Sequence, residues 1–599
     1  MKNTPISARG IYRAIRCGVE QLQEDRNHLN QINVFPIPDG DTGTNLSMTL
    51  QTMTDQVVVE GRIDHLVAQL AEKALEGARG NSGMIFAQFV SGWDMQLEGK
   101  EVLYPRELVA SLQMAVPYAY QSMVSPLEGT ILTLIRSWVA SLDHHLDHSD
   151  TLAEWFDAAL IDAHKALEET VNQLPVLRKN GVVDAGAKGF VSFLEGLVAY
   201  LHGRRAKATN QPVAVPQLDV HEFESPLSFR YCTEGLIQAP VQDIQDIRGD
   251  LEVLGDSLII AGNHHRTRVH IHTSRPEEVF HILHGRGKIL QQKVDDMQRQ
   301  MDVIKDPLAK VAIVTDSIAD IPQDLMDKYQ IHLLPMQITL GEVTYIDRVT
   351  LTADHFYTLN KDLKDHPTTS LPGLKQIESL LQFLLDHYEQ VVVLSVAAKL
   401  SGTHQAICNV KDTLPGGDRV HVVDTMKNSG AQGLLVVQAA KAALAGESAR
   451  AIVSQVEGLR DQTRILVSVE TIKYAVRGGR VAKSLGFVGA MLNLKPIMSL
   501  DRQGQGIAFG KAFSYGQNLR KITQLAEKDH RRLGIDHYCI VHGDSREKAM
   551  DLAKRMKDIT GREPAYIARI SPVVGASAGA GAAAVSYITK GGNVYESSQ

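Results

Sequence analysis

The sequence predicts a multidomain protein in three parts: an all-α block, a small α+β module and a two-lobed α/β block. Three observations carry this. The chain has 599 residues, and at roughly 100–200 residues per domain that length calls for three to five domains. The spacing of its apolar residues changes from helical to strand-like along the chain. A polar stretch, Ala208 to Pro216, contains Pro212 and Pro216 and reads as an extended linker.

The first block spans about 1–205. Ile11, Ile15, Val19 and Leu22 recur at three- and four-residue steps, as do Phe190, Phe193, Leu194, Leu197 and Leu201. Each set makes one apolar helix face, and alternation of the strand type is scarce between them. After a linker at 206–221 comes the module at 222–305. Asp256–Ala261 and Arg268–His272 read as strands, and Pro276 with Glu277 and Glu278 opens a helix that ends near Gly285. The third block spans 308–599. Val311–Thr315 and Val391–Ser395 are short, wholly apolar runs of the kind buried in parallel sheets, with further strands at Val420–Val423 and Ile465–Val469. Helical patterns separate them, which predicts an α/β architecture in two lobes.

Composition narrows the function. Hydrophobic residues make up 44% and charged residues 22%, which excludes wholesale disorder. With 62 Lys plus Arg against 69 Asp plus Glu, no basic excess invites nucleic acid. Cys17, Cys232, Cys408 and Cys539 lie far apart, so a disulfide framework is not expected and a reducing compartment is. The first residues lack the apolar core of a signal peptide, and no apolar run approaches the ~20 residues of a membrane span. A cytoplasmic protein is expected.

The segment Asn33-Val34-Phe35-Pro36-Ile37-Pro38-Asp39-Gly40-Asp41-Thr42-Gly43-Thr44-Asn45 has two alternate carboxylates in a glycine-containing loop. That suits Mg²⁺, which takes oxygen ligands and completes its shell with phosphate oxygens. An ordinary turn at Pro38-Asp39-Gly40 explains the same residues, and alone they leave both readings open. An EF-hand is excluded by Gly43 and Leu50. Gly77-Ala78-Arg79-Gly80-Asn81-Ser82-Gly83 offers flexible backbone N–H groups before a helix, a phosphate cradle or a packing feature. Gly181 to Gly189 resembles a P-loop but fails, because Ala187 intervenes before Lys188 and no Ser or Thr follows.

In the module, His270 and His272 are two apart on a strand, so both imidazoles project from one face. A Cys232 thiolate would complete an N/S set suited to Zn²⁺. A pair of surface histidines beside a buried thiol is the plain alternative, and His264-His265 leaves other ligand sets open. No catalytic base is evident near the trio, so the metal is expected to be structural. His144, His145 and His148 read as a solvated helix end.

Taken together, PDGDTGTN, GARGNSG, Glu128-Gly129-Thr130 and VVDAGAKGF resemble the ATP-binding domain of the dihydroxyacetone-kinase L-subunit family. The longer NVFPIPDGDTGTN form resembles the kinase subunit of bacterial fatty acid kinase. The resemblance implies that Asp39 and Asp41 hold Mg²⁺–ATP, with Asn33 near the place of a third metal-binding Asp in related kinases. It also implies that Thr42, Thr44, Asn45, Asn81, Ser82, Gly83, Gly129, Thr130 and Asp184 line the nucleotide. Tyr231-Cys232-Thr233-Glu234 and Val269-His270-Ile271-His272 resemble that subunit's middle domain.

The third block resembles the DegV family of two-lobed fatty-acid carriers. The matching segments are Val314-Thr315-Asp316-Ser317, Thr369-Ser370-Leu371-Pro372, Leu400-Ser401-Gly402-Thr403, Gly478-Gly479-Arg480 and Leu494-Lys495-Pro496-Ile497. The resemblance places the acyl carboxylate on Thr369 and Ser401, in turns carrying Ser370 and Gly402 at the C-terminal ends of parallel strands. The plain alternative is that these hydroxyls only cap helices. Where the family carries a ligand-contacting His, this chain has Ser577, which can still donate a hydrogen bond. Arg480 is a further candidate, either steering phosphate or serving as an ordinary surface cation.

The implied function is a fatty acid kinase-like fusion: ATP plus fatty acid gives acyl phosphate plus ADP. Two alternatives stand beside it, a non-catalytic lipid-binding or regulatory protein with a relict nucleotide domain, and a small-polyol kinase of the glycerone type. The expected cofactors are ATP, Mg²⁺ and structural Zn²⁺. The expected partners are a fatty acid, an enzyme that accepts the acyl phosphate and a second copy in a homodimer, with no nucleic acid.

Overall fold

The computed structural model describes residues 4–35, 40–204, 227–362, 366–480 and 495–597. Asp39 and the expected linker at 206–221 lie outside the described residues. The chain divides into two compact units, Met1–Met301 and Asp302–Gln599.

The first unit begins with nine described helices between Ala8 and Leu201. The apolar faces read from sequence are its core: Leu22, Phe190 and Leu194 are almost wholly buried, with Ile15, Val19 and Phe193 beside them. A four-stranded antiparallel sheet follows, made of β1 (Tyr231–Gln238), β2 (Gly255–Gly262), β3 (Thr267–Thr273) and β4 (Lys288–Asp296) in the order β2-β3-β1-β4. The expected strands are β2 and β3, and the expected helix is Pro276–His284, with proline in its first turn. Strands β1 and β4 escape a reading by apolar runs because polar residues interrupt them, Thr233 and Glu234 in β1 and Gln291 to Lys293 in β4.

One face of this sheet packs on Phe280 and Leu283 of that helix, which stand 3.0–3.1 Å from where a Cβ on Gly235 would lie. The sheet also meets the helices of the first block. Ile259 and Ala261 join their core, Ile260 N–H donates to Ser122 O at 2.9 Å, and Gly262 N–H donates to Gln88 Oε1 at 2.7 Å.

The second unit contains β5 (Val311–Asp316), β6 (His332–Leu334), β7 (Gln337–Leu340), β8 (Val343–Ile346), β9 (Thr368–Ser370), β10 (Gln390–Ser395), β11 (Val420–Asp424), β12 (Thr463–Ser468), β13 (Lys495–Leu500), β14 (Gly506–Ala512), β15 (Ile535–His542), β16 (Ile567–Arg569) and β17 (Ala583–Thr589). Its first lobe is the parallel sheet β11-β10-β5-β6 with a small antiparallel sheet β8-β7-β9. The second lobe is a six-stranded sheet, β14-β13-β12-β17-β15-β16, antiparallel except for β15–β16. The apolar run at Ile465 therefore marks burial on both faces, not parallel pairing. Ile465 enters one core and Leu466 another.

Candidate functional site

In the first unit, four helices of thirteen or more residues bring their N-termini to one region. They start at Thr42, Gly80, Ile131 and Ala185. Residues from the first turns or caps of all four line two adjoining cavities of about 80 and 440 Å³, which share Phe35, Asn81, Ser82 and Asp184. Helix N-termini carry partial positive charge, so this convergence suits an anion, and part of it already serves Asp184, which takes the N–H groups of Ala187, Ile131 and Gly186. Gly80 has φ +58°, and a Cβ there would lie 3.1 Å from Asn45 Nδ2. At Gly186 a Cβ would collide with Ser82 Oγ. Two of the sequence-read glycine loops are thus pressed together, which only glycine permits.

The expected nucleotide residues divide. Asn33, Asp41, Thr42, Asn45, Asn81, Ser82 and Asp184 line the smaller cavity, and Thr130 lines the larger. Thr44 instead ties two helices, its Oγ1 accepting from Asn30 Nδ2 at 2.9 Å. Gly83 is buried against Thr49, and Gly129 turns the chain at φ +85° with its N–H on Thr133 Oγ1 at 2.8 Å. Asp184 caps the last helix, accepting from Ala187 N–H at 2.7 Å, and burial pushes its carboxyl up to about 7. Asn33, Asp41 and Asp184 supply oxygen donors to one small cavity, which fits a hard cation.

The sheet closes that same cavity. Strand registry pairs Cys232 with His272 and Asp295, and Glu234 with His270 and Lys293. Positions two apart share a face, so all six side chains point the same way, and all six line the cavity with Asp41. The ligand atoms of Cys232, His270 and His272 lie within 4.8 Å of one another, with Sγ 3.8 Å from His270 Nδ1. Both histidines are buried, against the surface-pair alternative, and His270 Nε2 has no hydrogen-bond partner. An N/S donor set with an orphaned imidazole nitrogen fits Zn²⁺. An acid does stand near the trio, although no base is evident there from the sequence. Glu234, 1% exposed, stands 3.7 Å from His270 Nδ1. Burial acts to raise the Glu234 carboxyl, but Lys293, His270 and Arg268 outweigh it and hold it well below the usual range. Burial, then the charge of Glu234, raises the Cys232 thiol; a bound metal would deprotonate it.

Glu234, Lys293 and Asp295 are site residues that the sequence motifs do not single out for a role. Their signal is spacing alone: Cys232 and Glu234 on β1, and Lys293 and Asp295 on β4, are each two apart and so share a face. His264 and His265 are exposed, and His144 and His148 lie at an exposed helix end as expected, whereas His145 is half-buried with its Nε2 3.0 Å from Asp162 Oδ2.

The second unit holds a more apolar cavity of about 410 Å³, walled by residues such as Ile318, Met336, Val396 and Ile465. Thr369, Ser370, Ser401, Gly402, Arg480 and Ser577 all line it. Ser401 follows β10 as expected, and its Oγ also accepts from Thr403 N–H at 3.3 Å in the turn before the helix Thr403–Thr413, whose N-cap is Gly402. Thr369 is not in a loop after a parallel strand: it lies in β9, paired antiparallel with β7. Arg480 is half-buried, and its Nη2 donates to Thr369 Oγ1 at 2.7 Å, which replaces the picture of a surface cation.

Ser577 sits on the short helix Pro572–Ala578, which two buried acids hold. Asp320 accepts from Ser571 N–H at 2.7 Å and from the Ser429 hydroxyl; Asp347 accepts from Val573 N–H at 3.1 Å and from the Ser317 hydroxyl. Burial pushes Asp320 up to about 7 and Asp347 up to about 6, against these hydrogen bonds. Among the described residues, no helix is long and apolar enough to cross a membrane.

Comparison with known families gives three matches. Residues 36–199 match the DAK2 domain, 228–304 the middle domain of A-like subunits of fatty acid kinase, and 310–590 the uncharacterised DegV family. An uncharacterised protein of Staphylococcus haemolyticus is 31% identical over 298 residues, covering 47% of this chain and 54% of that one. The chain thus spans about half the length of the curated relatives it matches. Among solved structures, DegV of Bacillus subtilis, described as a fatty acid binding protein, is 25% identical, covering 47% of this chain and 100% of that one, with a TM-score of 0.44. A DegV-family protein from Thermus thermophilus, described by its fatty acid binding, is also 25% identical, covering 47% and 99%, with a TM-score of 0.43. In one polypeptide, therefore, the chain resembles the ATP-binding subunit of fatty acid kinase, with its DAK2 and middle domains, joined to a DegV-family protein.

Proposed function

We propose that the chain is a fatty acid kinase in one polypeptide. The first unit binds ATP with a divalent cation, and the second binds the fatty acid whose carboxylate is phosphorylated. The observation that carries the nucleotide half is the convergence of four helix N-termini on a cavity lined by Asp41 and Asn33. Asp39 belongs to the same loop and is assigned with Asp41 to Mg²⁺. A cation held there supplies charge neutralisation on the phosphate oxygens. Cys232, His270 and His272 are assigned to Zn²⁺.

The acyl half rests on the 410 Å³ cavity, within the range of ~300–1,000 Å³ usual for ligand pockets. Its apolar wall suits an alkyl chain, whose burial is worth ~0.8 kcal/mol per methylene. Thr369, Ser401, Arg480 and Ser577 are the donors for the headgroup, Arg480 taking the cationic part that a His at position 577 would play. The carboxylate is ionised at neutral pH, so the attack needs no general base. One carboxylate oxygen forms a bond to the γ-phosphorus as the bond from that phosphorus to the β–γ bridging oxygen breaks, and ADP leaves with the electron pair. Catalysis is positioning and charge neutralisation by the loop N–H groups. One chain holding both sites raises the effective concentration of acyl substrate to about the mM range. The product is a mixed anhydride and calls for a second enzyme that accepts the acyl group.

The test is ATP consumption by the full chain with fatty acids and with small polyols, alongside mass spectrometry of any co-purifying lipid. ADP and acyl phosphate formed only with fatty acids support the proposal. Turnover with a polyol alone, or bound lipid without turnover, would replace it by one of the two alternatives.

A further inference from the structure

We propose that Lys293, on the sheet rather than on the helices, is a cation that binds the terminal phosphates of the nucleotide. This rests on the ATP reading above and deepens it. A phosphate site without a P-loop lysine must find its positive charge elsewhere. Lys188, the one lysine in the Gly181–Gly189 segment, points to Glu195 at 3.5 Å and does not line the smaller cavity. Among the described residues that do line it, the lysine and arginine are Lys293 and Arg79.

Lys293 is the better held of the two. Registry sets it directly opposite Glu234. Its Nζ lies 2.7 Å from Asp295 Oδ2 and 3.9 Å from Glu234 Oε1, so two carboxylates fix where the ammonium stands. An ammonium has three N–H donors, and the Asp295 contact uses one. Burial opposes the charge on Lys293, but Asp295 and Glu234 outweigh it and keep the group protonated.

Glu234 also reaches the phosphate loop itself. Its Oε1 accepts from Gly80 N–H at 3.0 Å, and its Oε2 accepts from Arg268 Nη2 at 2.9 Å. One buried carboxylate therefore sets the position of the helix N-terminus at Gly80 relative to Lys293. The four charges, Glu234 and Asp295 against Arg268 and Lys293, sum to zero before any nucleotide enters. The charge of Lys293 is thus held in place without a net excess that would repel a metal at Cys232, His270 and His272. A preorganised cation of this kind needs no rearrangement when phosphate binds.

The experiment is calorimetric titration of ATP, ADP and AMP into the full chain and into Lys293→Gln, Lys293→Met and Lys293→Arg, with metal content measured by elemental analysis. The expected result is graded: Lys293→Gln weakens ATP binding by about ten- to a hundredfold, the size of a charge-assisted hydrogen bond, ADP less, and AMP least. Lys293→Met behaves in the same way, Lys293→Arg recovers most of the affinity, and metal content stays at the wild-type level. Wild-type affinity in folded Lys293→Gln or Lys293→Met would overturn the assignment. So would an equal loss for all three nucleotides, or a loss that accompanies departure of the metal. If the wild-type chain itself bound no ATP, the ATP reading would fall first and this one with it.

Discussion

The two units build their cavities on opposite electrostatic plans. In the first, the charged groups stand at the cavity surface: Asp41, Glu234, Lys293 and Asp295 face the space they enclose. In the second, the wall is largely apolar, and the acids Asp320 and Asp347 lie behind it, bonded to the helix that carries Ser577. The charged cavity of the first unit is about 80 Å³ and adjoins one of about 440 Å³, while the apolar cavity of the second is about 410 Å³. A small charged space selects for a compact, multiply charged group, whereas a large apolar one selects for length. Charge at a surface recognises; acids buried behind a wall hold the wall in place through hydrogen bonds.

The sharpest way to break this contrast is to remove one recognition group from each side. Asp41→Ala is expected to lower ATP turnover by about a hundredfold or more, with fatty-acid binding unchanged; Asp39→Ala should do the same. Steady-state ATPase rates beside fatty-acid titrations decide it, and a normal rate in both folded variants would remove the carboxylates from the site. The second unit's counterpart is Thr369→Ala/Ser401→Ala. Losing two donors to a carboxylate should weaken fatty-acid binding by about a hundredfold while nucleotide affinity stays as it was. If acyl binding survives, Arg480 and Ser577 carry the headgroup.

Two smaller effects sharpen the comparison. Cys232→Ser with His272→Ala should lose one equivalent of bound metal and lower the thermal midpoint of the first unit alone; unchanged metal content would dismiss the trio as ligands. In the second unit, Asp320 is raised to about 7 from an ordinary value of ~3.9. A carboxyl raised by burial contributes stability that is full below about pH 4 and fades as pH rises through about 7. Asp320→Asn should therefore flatten the fall in the second unit's thermal midpoint between about pH 5 and 8. Identical slopes in the two proteins would show that the buried acid is not what titrates.

The helical faces and the apolar strands are legible because burial leaves a period in the sequence: Ile15, Val19 and Leu22 announce a helix face, and Val391 to Leu394 a buried strand. The pairing of β12 is not legible, since an apolar run reports that both faces are covered and is silent on direction. Among site residues, those in glycine-bearing loops stand out, but glycine marks close packing as readily as ligand approach. Thr44 and Gly83 belong to the packing, Asn81 and Ser82 to the cavity. Glu234 and Lys293 escape for a different reason. They sit 59 residues apart in sequence, and only antiparallel registry sets them opposite each other.

Arg268 holds a consequence for how the first unit can be divided. Its guanidinium, 4% exposed, donates to the carbonyls of Leu75 at 3.4 Å and Glu76 at 3.1 Å, at the end of the helix Ile63–Gly77. A residue of the sheet module thus terminates a helix of the preceding domain, satisfying backbone acceptors that the helix cannot satisfy itself. The border drawn from sequence texture is crossed by these hydrogen bonds and by the shared core. A fragment ending near residue 205 would carry an uncapped helix end and lose the apolar cover of Ile259 and Ala261. The helices and the sheet should melt together in one calorimetric transition, as a single folding unit written in two sequence styles.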